Sequence, residues 1–145
     1  MEYISNNLED TKRFAGEFVS SLFAAPAAGA ATVVGLYGNL GSGKTTFVQF
    51  IAGILGVKEH PTSPTFVIVK SYKLQVKNFQ NLIHVDAYRL KSGEELQKLG
   101  FEELLRGKGN LIFIEWPEHV AGILPANMVK INFEFINENT RSIDI

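Results

Sequence analysis

Apolar side chains near the start of the chain recur every three or four residues, which predicts a helix over residues 8–23. One face of this helix would carry Leu8, Phe14, Phe18 and Leu22. Asn7 precedes the pattern and is a suitable N-cap, because its side chain can accept a hydrogen bond from a backbone N–H of the first turn. We therefore expect this helix to pack against the core through its apolar face.

Two further segments have helical features. Residues 43–55 predict an apolar helix that ends near Gly56. Ser92 and Glu95 have the spacing of a capping box, so a helix is expected to begin at Ser92. Gly100 would interrupt that helix before the sequence Phe-Glu-Glu-Leu-Leu.

Apolar runs, several of them rich in β-branched residues, predict strands at residues 31–37, 65–74, 82–86, 111–115, 127–136 and 141–145. The run 111–115 is apolar on both faces, which is typical of a central strand. The turn residues Lys77, Asn78 and Asn81 separate the second run from the third, and this short gap favours an antiparallel hairpin. Residues 137–140 would turn the last two strands into a second hairpin.

Helices mixed with strands, some parallel and some in hairpins, predict a three-layer α/β fold. Its mixed sheet would have a parallel core with antiparallel hairpins, and a ligand would lie at the carboxyl ends of the strands. A length of 145 residues is enough to bury a core, so we expect a single domain over residues 1–145.

Composition narrows the class of protein. Hydrophobic residues make up 46% of the chain and charged residues 20%, which is typical of a globular protein rather than a disordered one. The net charge of −1 does not indicate a nucleic-acid-binding or membrane-surface protein. The chain contains no cysteine, which excludes disulfides and thiolate metal sites, and it has no apolar run long enough to span a membrane. We expect a soluble intracellular protein.

The segment between the strand 31–37 and the next helix has the spacing of a P-loop, Gly-x-x-x-x-Gly-Lys-Thr. Glycines let backbone N–H groups converge on phosphate oxygens, and the helix directs its positive N-terminal end at the same anion. Lys44 would contact the β- and γ-phosphates, and the Thr45 hydroxyl would bind Mg²⁺. The predicted nucleotide-binding residues are Gly38, Asn39, Leu40, Gly41, Ser42, Gly43, Lys44, Thr45 and Thr46. The motif makes the expected fold P-loop NTPase-like.

A P-loop site also needs a carboxylate at the end of a neighbouring strand to hold Mg²⁺. Two residues qualify, Glu115 after the apolar run 111–114 and Asp86 after the run 82–85. One would hold the metal, and the other would orient the attacking water or accept its proton. The sequence leaves this division of roles open. Asp86 could instead cap a turn or pair with Arg89.

Three other residues have less definite interpretations. Thr65, in the sequence Ser63-Pro-Thr-Phe66, could offer its hydroxyl and N–H to Mg²⁺ or phosphate, or its segment could be an ordinary loop. His84 is more typical of a buried core histidine than of a catalytic base. Trp116 could cover the site, contact a partner or simply pack.

Taken together, several segments resemble the TsaE (YjeE) family of small bacterial P-loop ATPases. The matching segments are Gly38–Thr46, Ser63–Phe66, His84–Leu90, Glu94–Glu95 with Gly100, and Ile114–Glu118. The P-loop is shared by many families, whereas the Ser-Pro-Thr-Phe, His-x-Asp-x-Tyr-Arg-Leu and Glu-Trp-Pro-Glu sequences are far more specific.

The resemblance implies a cytoplasmic ATPase that uses ATP and Mg²⁺ and works with the TsaD and TsaB proteins to form threonylcarbamoyladenosine in tRNAs that read codons beginning with A. Its ATP cycle would support the TsaD–TsaB pair without transferring the threonylcarbamoyl group, and any contact with tRNA would be made through the complex. The resemblance also implies that Lys44 binds phosphate, Thr45 and Glu115 bind Mg²⁺, Asp86 takes part in hydrolysis, and Thr65 belongs to a switch loop.

Two other functions are compatible with the P-loop. A small-molecule kinase usually needs several arginines to clamp the phosphoryl group, and this chain has only Arg13, Arg89, Arg106 and Arg141. The other alternative is a nucleotide-gated binding module in which hydrolysis is incidental.

Overall fold

The computed structural model describes residues 1–26, 29–59 and 68–145. The strands in chain order are β1 (Glu2–Ser5), β2 (Thr32–Tyr37), β3 (Val69–Val76), β4 (Phe79–Asp86), β5 (Asn110–Glu115), β6 (Val129–Phe135) and β7 (Arg141–Asp144). The α-helices are α1 (Leu8–Ala24), α2 (Lys44–Ile54), α3 (Gly93–Gln97) and α4 (Phe101–Arg106), and a 3-10 helix covers Pro117–Ile123. Within those three ranges, no helix is long and apolar enough to cross a membrane.

The described strands form one seven-stranded sheet in the order β1-β7-β6-β2-β5-β4-β3. Strands β6, β2, β5 and β4 are parallel to one another. Strands β3, β7 and β1 are antiparallel to their neighbours. The predicted parallel core and the two predicted hairpins, β3–β4 and β6–β7, are therefore confirmed.

Hydrophobic clusters cover both faces of the sheet, because side chains alternate along each strand. Val34 and Leu36 of β2 pack in a cluster with α1 and α2, whereas Val33 packs in a second cluster with α3, α4 and the 3-10 helix. Every residue of β5 is buried, as expected of a central strand. This arrangement confirms the predicted three-layer α/β fold.

Phe47 of α2 lies at the centre of the first cluster, with 0% of its surface exposed. The centroid of its ring lies 5.7 Å from that of Phe14, 5.9 Å from Phe18, 6.2 Å from Phe113 and 5.4 Å from Phe133. These partners belong to α1, β5 and β6, so Phe47 anchors α2 to the sheet. The glycine-rich loop, which leads directly into α2, is held in place by the same contacts.

Helix α1 agrees closely with its predicted bounds, and the predicted cap is confirmed. The Asp10 backbone N–H donates to Asn7 Oδ1 at 2.8 Å. Phe14 and Phe18 are buried as expected, but Leu8 is 60% exposed. Leu8 is the first residue of the helix, so the buried face begins about one turn later than the periodicity predicts.

Strand β1 has no counterpart among the predicted elements. Its four residues pair with β7, from Glu2 opposite Asp144 to Ser5 opposite Arg141. Only Ser5 of this strand is buried. Because its partner lies at the far end of the sequence, the local residue pattern carries little sign of the pairing.

The turn between β3 and β4 is shorter than predicted. Strand β3 continues to Val76 and β4 begins at Phe79, with Asn78 at a φ of 79° in the turn. Asn81 therefore lies within β4, where its side-chain amide donates to Asn110 Oδ1 at 2.9 Å. Residues 65–67 of the predicted strand lie outside the described residues.

The third helix begins directly after Ser92, as predicted, but among the described residues neither hydrogen bond of the predicted capping box is present. The Glu95 carboxylate accepts a hydrogen bond at 3.2 Å from the backbone N–H of Lys91, one residue before the N-cap, and the Ser92 side chain makes no cap hydrogen bond. The predicted break at Gly100 is confirmed, because this residue has a φ of 86° and separates α3 from α4.

Replacing Phe47 with alanine should destabilise the protein strongly, because it removes the ring shared by α1, α2 and the sheet. We expect Phe47→Ala to lower the free energy of unfolding by about 3–5 kcal/mol in urea denaturation. Leu8→Ala removes an apolar side chain from the exposed first turn and should cost less than about 0.5 kcal/mol. Equal effects of the two substitutions would contradict this description of the core.

Candidate active site

The loop between β2 and α2 passes in front of the N-terminus of α2. Gly38 has a φ of 141° and Gly43 a φ of 105°, conformations that favour glycine. A Cβ atom at Gly38 would lie 2.4 Å from the Phe133 carbonyl oxygen and 2.7 Å from Ser42 Oγ, so a larger residue does not fit. Gly43 is the N-cap of α2, and its carbonyl accepts a hydrogen bond from Phe47 at 2.9 Å. The positive end of the helix therefore faces the loop, as a phosphate-binding loop requires.

A cavity of about 310 Å³ opens beside this loop. Its lining comes from the loop, the first turn of α2, the chain after β4 and β5, and the start of β7: Leu40, Gly41, Ser42, Gly43, Lys44, Thr45, Thr46, Asp86, Tyr88, Arg89, Glu115, Trp116 and Arg141. Gly38 and Asn39 line a neighbouring cleft. Thr65 lies outside the described residues. The fold thus brings Lys44, Thr45, Asp86 and Glu115 together, and their roles in binding stay predictions.

Glu115 is held firmly at the end of β5. Its surface is only 4% exposed. The Thr45 hydroxyl lies 2.9 Å from each of its carboxylate oxygens and donates a hydrogen bond to them. His84 Nε2 lies 2.6 Å from Glu115 Oε2. These donors offset the cost of burying the carboxylate, and they connect the first turn of α2 to the ends of two strands.

His84 has a closer link to the site than its sequence context indicates. It is a buried histidine, as expected, with 1% of its surface exposed, but its partner is the Glu115 carboxylate. A carboxylate only accepts, so Nε2 carries the shared hydrogen. Within the described residues, Nδ1 has no hydrogen-bond partner. His84 therefore helps to orient Glu115, and in the described part of the chain it is not one of the residues that line the cavity.

Strand alternation alone carries only part of the signal for this contact. His84 and Asp86 lie two residues apart and share one face of β4. In the parallel register, Asp86 lies opposite Glu115 and His84 opposite Phe113, so His84 is a diagonal neighbour of Glu115. Only the pairing of β4 with β5 reveals this relation.

Asp86 lies beside Glu115 and also stabilises the local turn. The Tyr88 backbone N–H donates to Asp86 Oδ1 at 3.0 Å, which bears out the possibility that this residue caps a turn. The carboxylate nevertheless lines the cavity. Capping and a position at the site are therefore compatible in one residue.

Lys44 is folded back onto the loop. Its ammonium donates a hydrogen bond to the Gly38 carbonyl and lies 3.7 Å from the centroid of a Trp116 ring. Burial lowers the pKa of Lys44 below its ordinary value, and the carboxylates of Glu115, Glu118 and Asp86 oppose that shift. Of the interpretations of Trp116, the one in which it covers the site agrees best with this contact.

Trp116 belongs to an aromatic cluster that also contains Tyr88 and His119. The rings of Tyr88 and Trp116 lie 5.1 Å apart, and those of Trp116 and His119 lie 5.5 Å apart. His119 is fixed by a 2.9 Å contact between Nδ1 and the Ala87 carbonyl oxygen. The cavity lining also includes three residues outside the P-loop motif for which the sequence predicts no binding role: Tyr88, Arg89 and Arg141.

A parallel-core sheet with a glycine-rich loop leading into a helix, and with a carboxylate on the adjacent strand, defines the P-loop class of α/β proteins. Comparison with known proteins specifies the family. The family model described as "Threonylcarbamoyl adenosine biosynthesis protein TsaE" matches residues 5–143. The chain belongs to the TsaE family.

Relatives from several bacteria are similar over nearly the whole chain. The tRNA threonylcarbamoyladenosine biosynthesis protein TsaE of Rickettsia felis is 41% identical over 98% of this chain and 77% of its own length. The protein of the same name from Bacillus subtilis is 34% identical over 94% of this chain and 79% of its own. The crystal structure of Bacillus subtilis YdiB, 29% identical, matches with a TM-score of 0.74 over 99% of this chain and 82% of that one.

Substitutions at His84 test its contact with Glu115. His84→Leu leaves the buried carboxylate without one donor, so we expect a loss of about 1–3 kcal/mol in the free energy of unfolding. His84→Gln keeps a side-chain N–H and should lose less. Urea denaturation of both variants checks the expectation, and a His84→Leu protein as stable as the wild type would contradict it.

The lowered pKa of Lys44 predicts a particular pH dependence of stability. As the pH rises, the folded protein releases this proton before the unfolded chain does, whose lysine titrates near 10.5. As the pH rises from the lowered pKa of the folded protein to about 10.5, the free energy of unfolding of the wild type should therefore increase relative to that of Lys44→Met. The increase is about 1.4 kcal/mol for each pKa unit that separates the folded from the unfolded protein. Urea denaturation from neutral pH upward measures this gain. A constant difference between the two proteins would argue against it.

Proposed function

We propose that this protein is a Mg²⁺-dependent ATPase that takes part in the formation of threonylcarbamoyladenosine in tRNA. The observation that carries the proposal is the hydrogen bond from Thr45 to Glu115, which joins the glycine-rich loop to the end of the neighbouring strand. P-loop ATPases hold the metal and the phosphates between these two positions. Membership of the family supports the pathway, since the relatives are named for that modification.

The donor atoms at this junction fit Mg²⁺. The Thr45 hydroxyl and the Glu115 carboxylate are hard oxygen donors 2.9 Å apart. Mg²⁺ needs few protein ligands, because phosphates and water complete its shell. Thr45 would bind the ion directly, and Glu115 would bind it directly or through water. When bound, the ion would neutralise charge on the β- and γ-phosphates.

Lys44 is suited to bind phosphate from its present position. Its ammonium already lies on the loop, held by a neutral carbonyl and an indole ring. An anionic phosphate would be a stronger partner than either, because charge-assisted hydrogen bonds are stronger than bonds to neutral groups. Since burial lowers the pKa of Lys44, a nearby phosphate would also stabilise its charged form.

The environments of the two carboxylates suggest how their roles divide. Glu115 is buried and bound by Thr45 and His84, so it can hold a fixed position beside the metal. Asp86 lines the cavity next to it in the strand register. We assign to Asp86 the orientation of the attacking water and the acceptance of its proton.

The remaining assignments rest on the family alone. TsaD and TsaB would be the partners, the protein would act in the cytoplasm, and contact with tRNA would be made through the complex. Thr65 would sense the γ-phosphate from the segment 63–66. The ATP cycle would support turnover of the TsaD–TsaB pair.

ATP hydrolysis by site variants tests the catalytic assignment. Lys44→Ala and Glu115→Gln should each lower kcat by about a hundredfold or more, because each removes electrostatic stabilisation of the phosphates or the metal. Lys98→Ala and Glu103→Gln change exposed residues of the same types and should leave the rate unchanged. Phosphate release is measured with and without TsaD–TsaB. Unchanged hydrolysis in both site variants would refute the assignment.

The Asp86→Asn variant distinguishes an ATPase from a nucleotide-gated binding module. It should bind ATP but hydrolyse it slowly, because the proton acceptor is lost. If hydrolysis is needed for turnover, this variant will support about one round of tRNA modification by TsaD–TsaB and then stall. Repeated modification at the wild-type rate would favour the binding module.

A further inference from the structure

Arg141 is the first residue of β7 and lies on the side of the sheet that carries α2. In the register of β6 with β7, Arg141 lies opposite Phe135 and Ile143 lies opposite Phe133. Ile143 and Phe133 both belong to the cluster under α1 and α2. Since residues two apart share a face of a strand, Arg141 points toward the same layer. The final hairpin thus contributes a cation to the glycine-rich loop.

The Arg141 side chain lies directly against Gly43. Its Nε and Cδ atoms lie 3.0 and 3.1 Å from the position that a Cβ atom would occupy at Gly43. The absence of a side chain at Gly43 therefore makes room for this arginine as well as permitting the backbone conformation. Arg141 also lines the 310 Å³ cavity.

The Arg141 guanidinium has little to bind in the protein itself. Among the residues that the structure describes, it donates one hydrogen bond, which is long, 3.5 Å from Nη1 to the Glu138 carbonyl oxygen. Across the described residues, no carboxylate forms an ion pair with it. A partly buried guanidinium with five N–H donors, placed beside a phosphate-binding loop, is suited to bind an anionic ligand in that cavity.

We propose that Arg141 binds the α- or β-phosphate of the nucleotide, an assignment that rests on the proposed function. The order of the strands in the sheet favours these two phosphates over the γ-phosphate. Asp86 and Glu115 end strands on one side of β2, whereas β6 and β7 lie on its other side. If the carboxylates mark the γ-phosphate and the metal, Arg141 lies toward the phosphates nearer the ribose.

Because ADP and ATP both carry the α- and β-phosphates, substitution of Arg141 should weaken the binding of the two nucleotides equally. Arg141→Gln should weaken the binding of both nucleotides about tenfold or more, because a charged donor to phosphate is lost. Arg141→Lys keeps the charge but loses the planar guanidinium, so its affinity for both nucleotides should be lower than that of the wild type by about threefold or more. Arg106→Gln changes an exposed arginine of α4 and serves as the control. Isothermal titration with Mg²⁺ and each nucleotide measures the dissociation constants.

Lys44→Ala, titrated in parallel, separates this inference from the proposed function. Normal affinities in both Arg141 variants, with weak binding by Lys44→Ala, would overturn the role of Arg141 and leave the proposed function standing. A loss confined to ATP would also overturn the assignment, because it would place Arg141 at the γ-phosphate. Unchanged binding in Lys44→Ala would refute the proposed function itself. If Arg141→Gln does not fold, as judged by thermal denaturation, Arg141→Lys alone decides between these outcomes.

Discussion

A buried carboxylate needs hydrogen-bond donors, and Glu115 takes its donors from two different elements, the first turn of α2 and strand β4. This requirement fixes the distance between the glycine-rich loop and the end of β5. The aromatic packing around Phe47 holds the other side of α2 against the sheet. The loop is therefore positioned by a polar contact at its open end and by apolar contacts beneath it.

The order of the strands divides the site into two parts. β4 and β5 carry the carboxylates on one side of β2, while the β6–β7 hairpin carries a guanidinium on the other. The two carboxylates and the Arg141 guanidinium thus line one cavity from opposite sides of β2, and Lys44 lies close enough to the carboxylates for them to oppose the lowering of its pKa by burial. A ligand of alternating charge, such as a metal-bound nucleotide, would satisfy both kinds of group.

Much of this organisation can be predicted from the sequence, because the decisive signals are local. The glycine spacing before Lys44, the doubly apolar run before Glu115 and the periodicity of α1 each depend on neighbouring residues. The features that escape prediction depend on distant ones. Strand β1 pairs with the last strand, His84 meets Glu115 only through the register of β4 with β5, and Arg141 reaches Gly43 only after the final hairpin folds over the loop. A residue's type alone does not reveal such contacts.

The ammonium of Lys44 rests on a ring of Trp116, and Trp116 is the sole tryptophan of the chain. The absorption and emission spectra of this indole depend on the charge that lies over its ring. Any ligand that draws the ammonium away changes the optical environment of one defined chromophore, without a label and without competing signals from other indoles. The protein therefore carries a single intrinsic indole fluorophore beside its loop, and the emission of that indole would respond to a ligand that displaces Lys44.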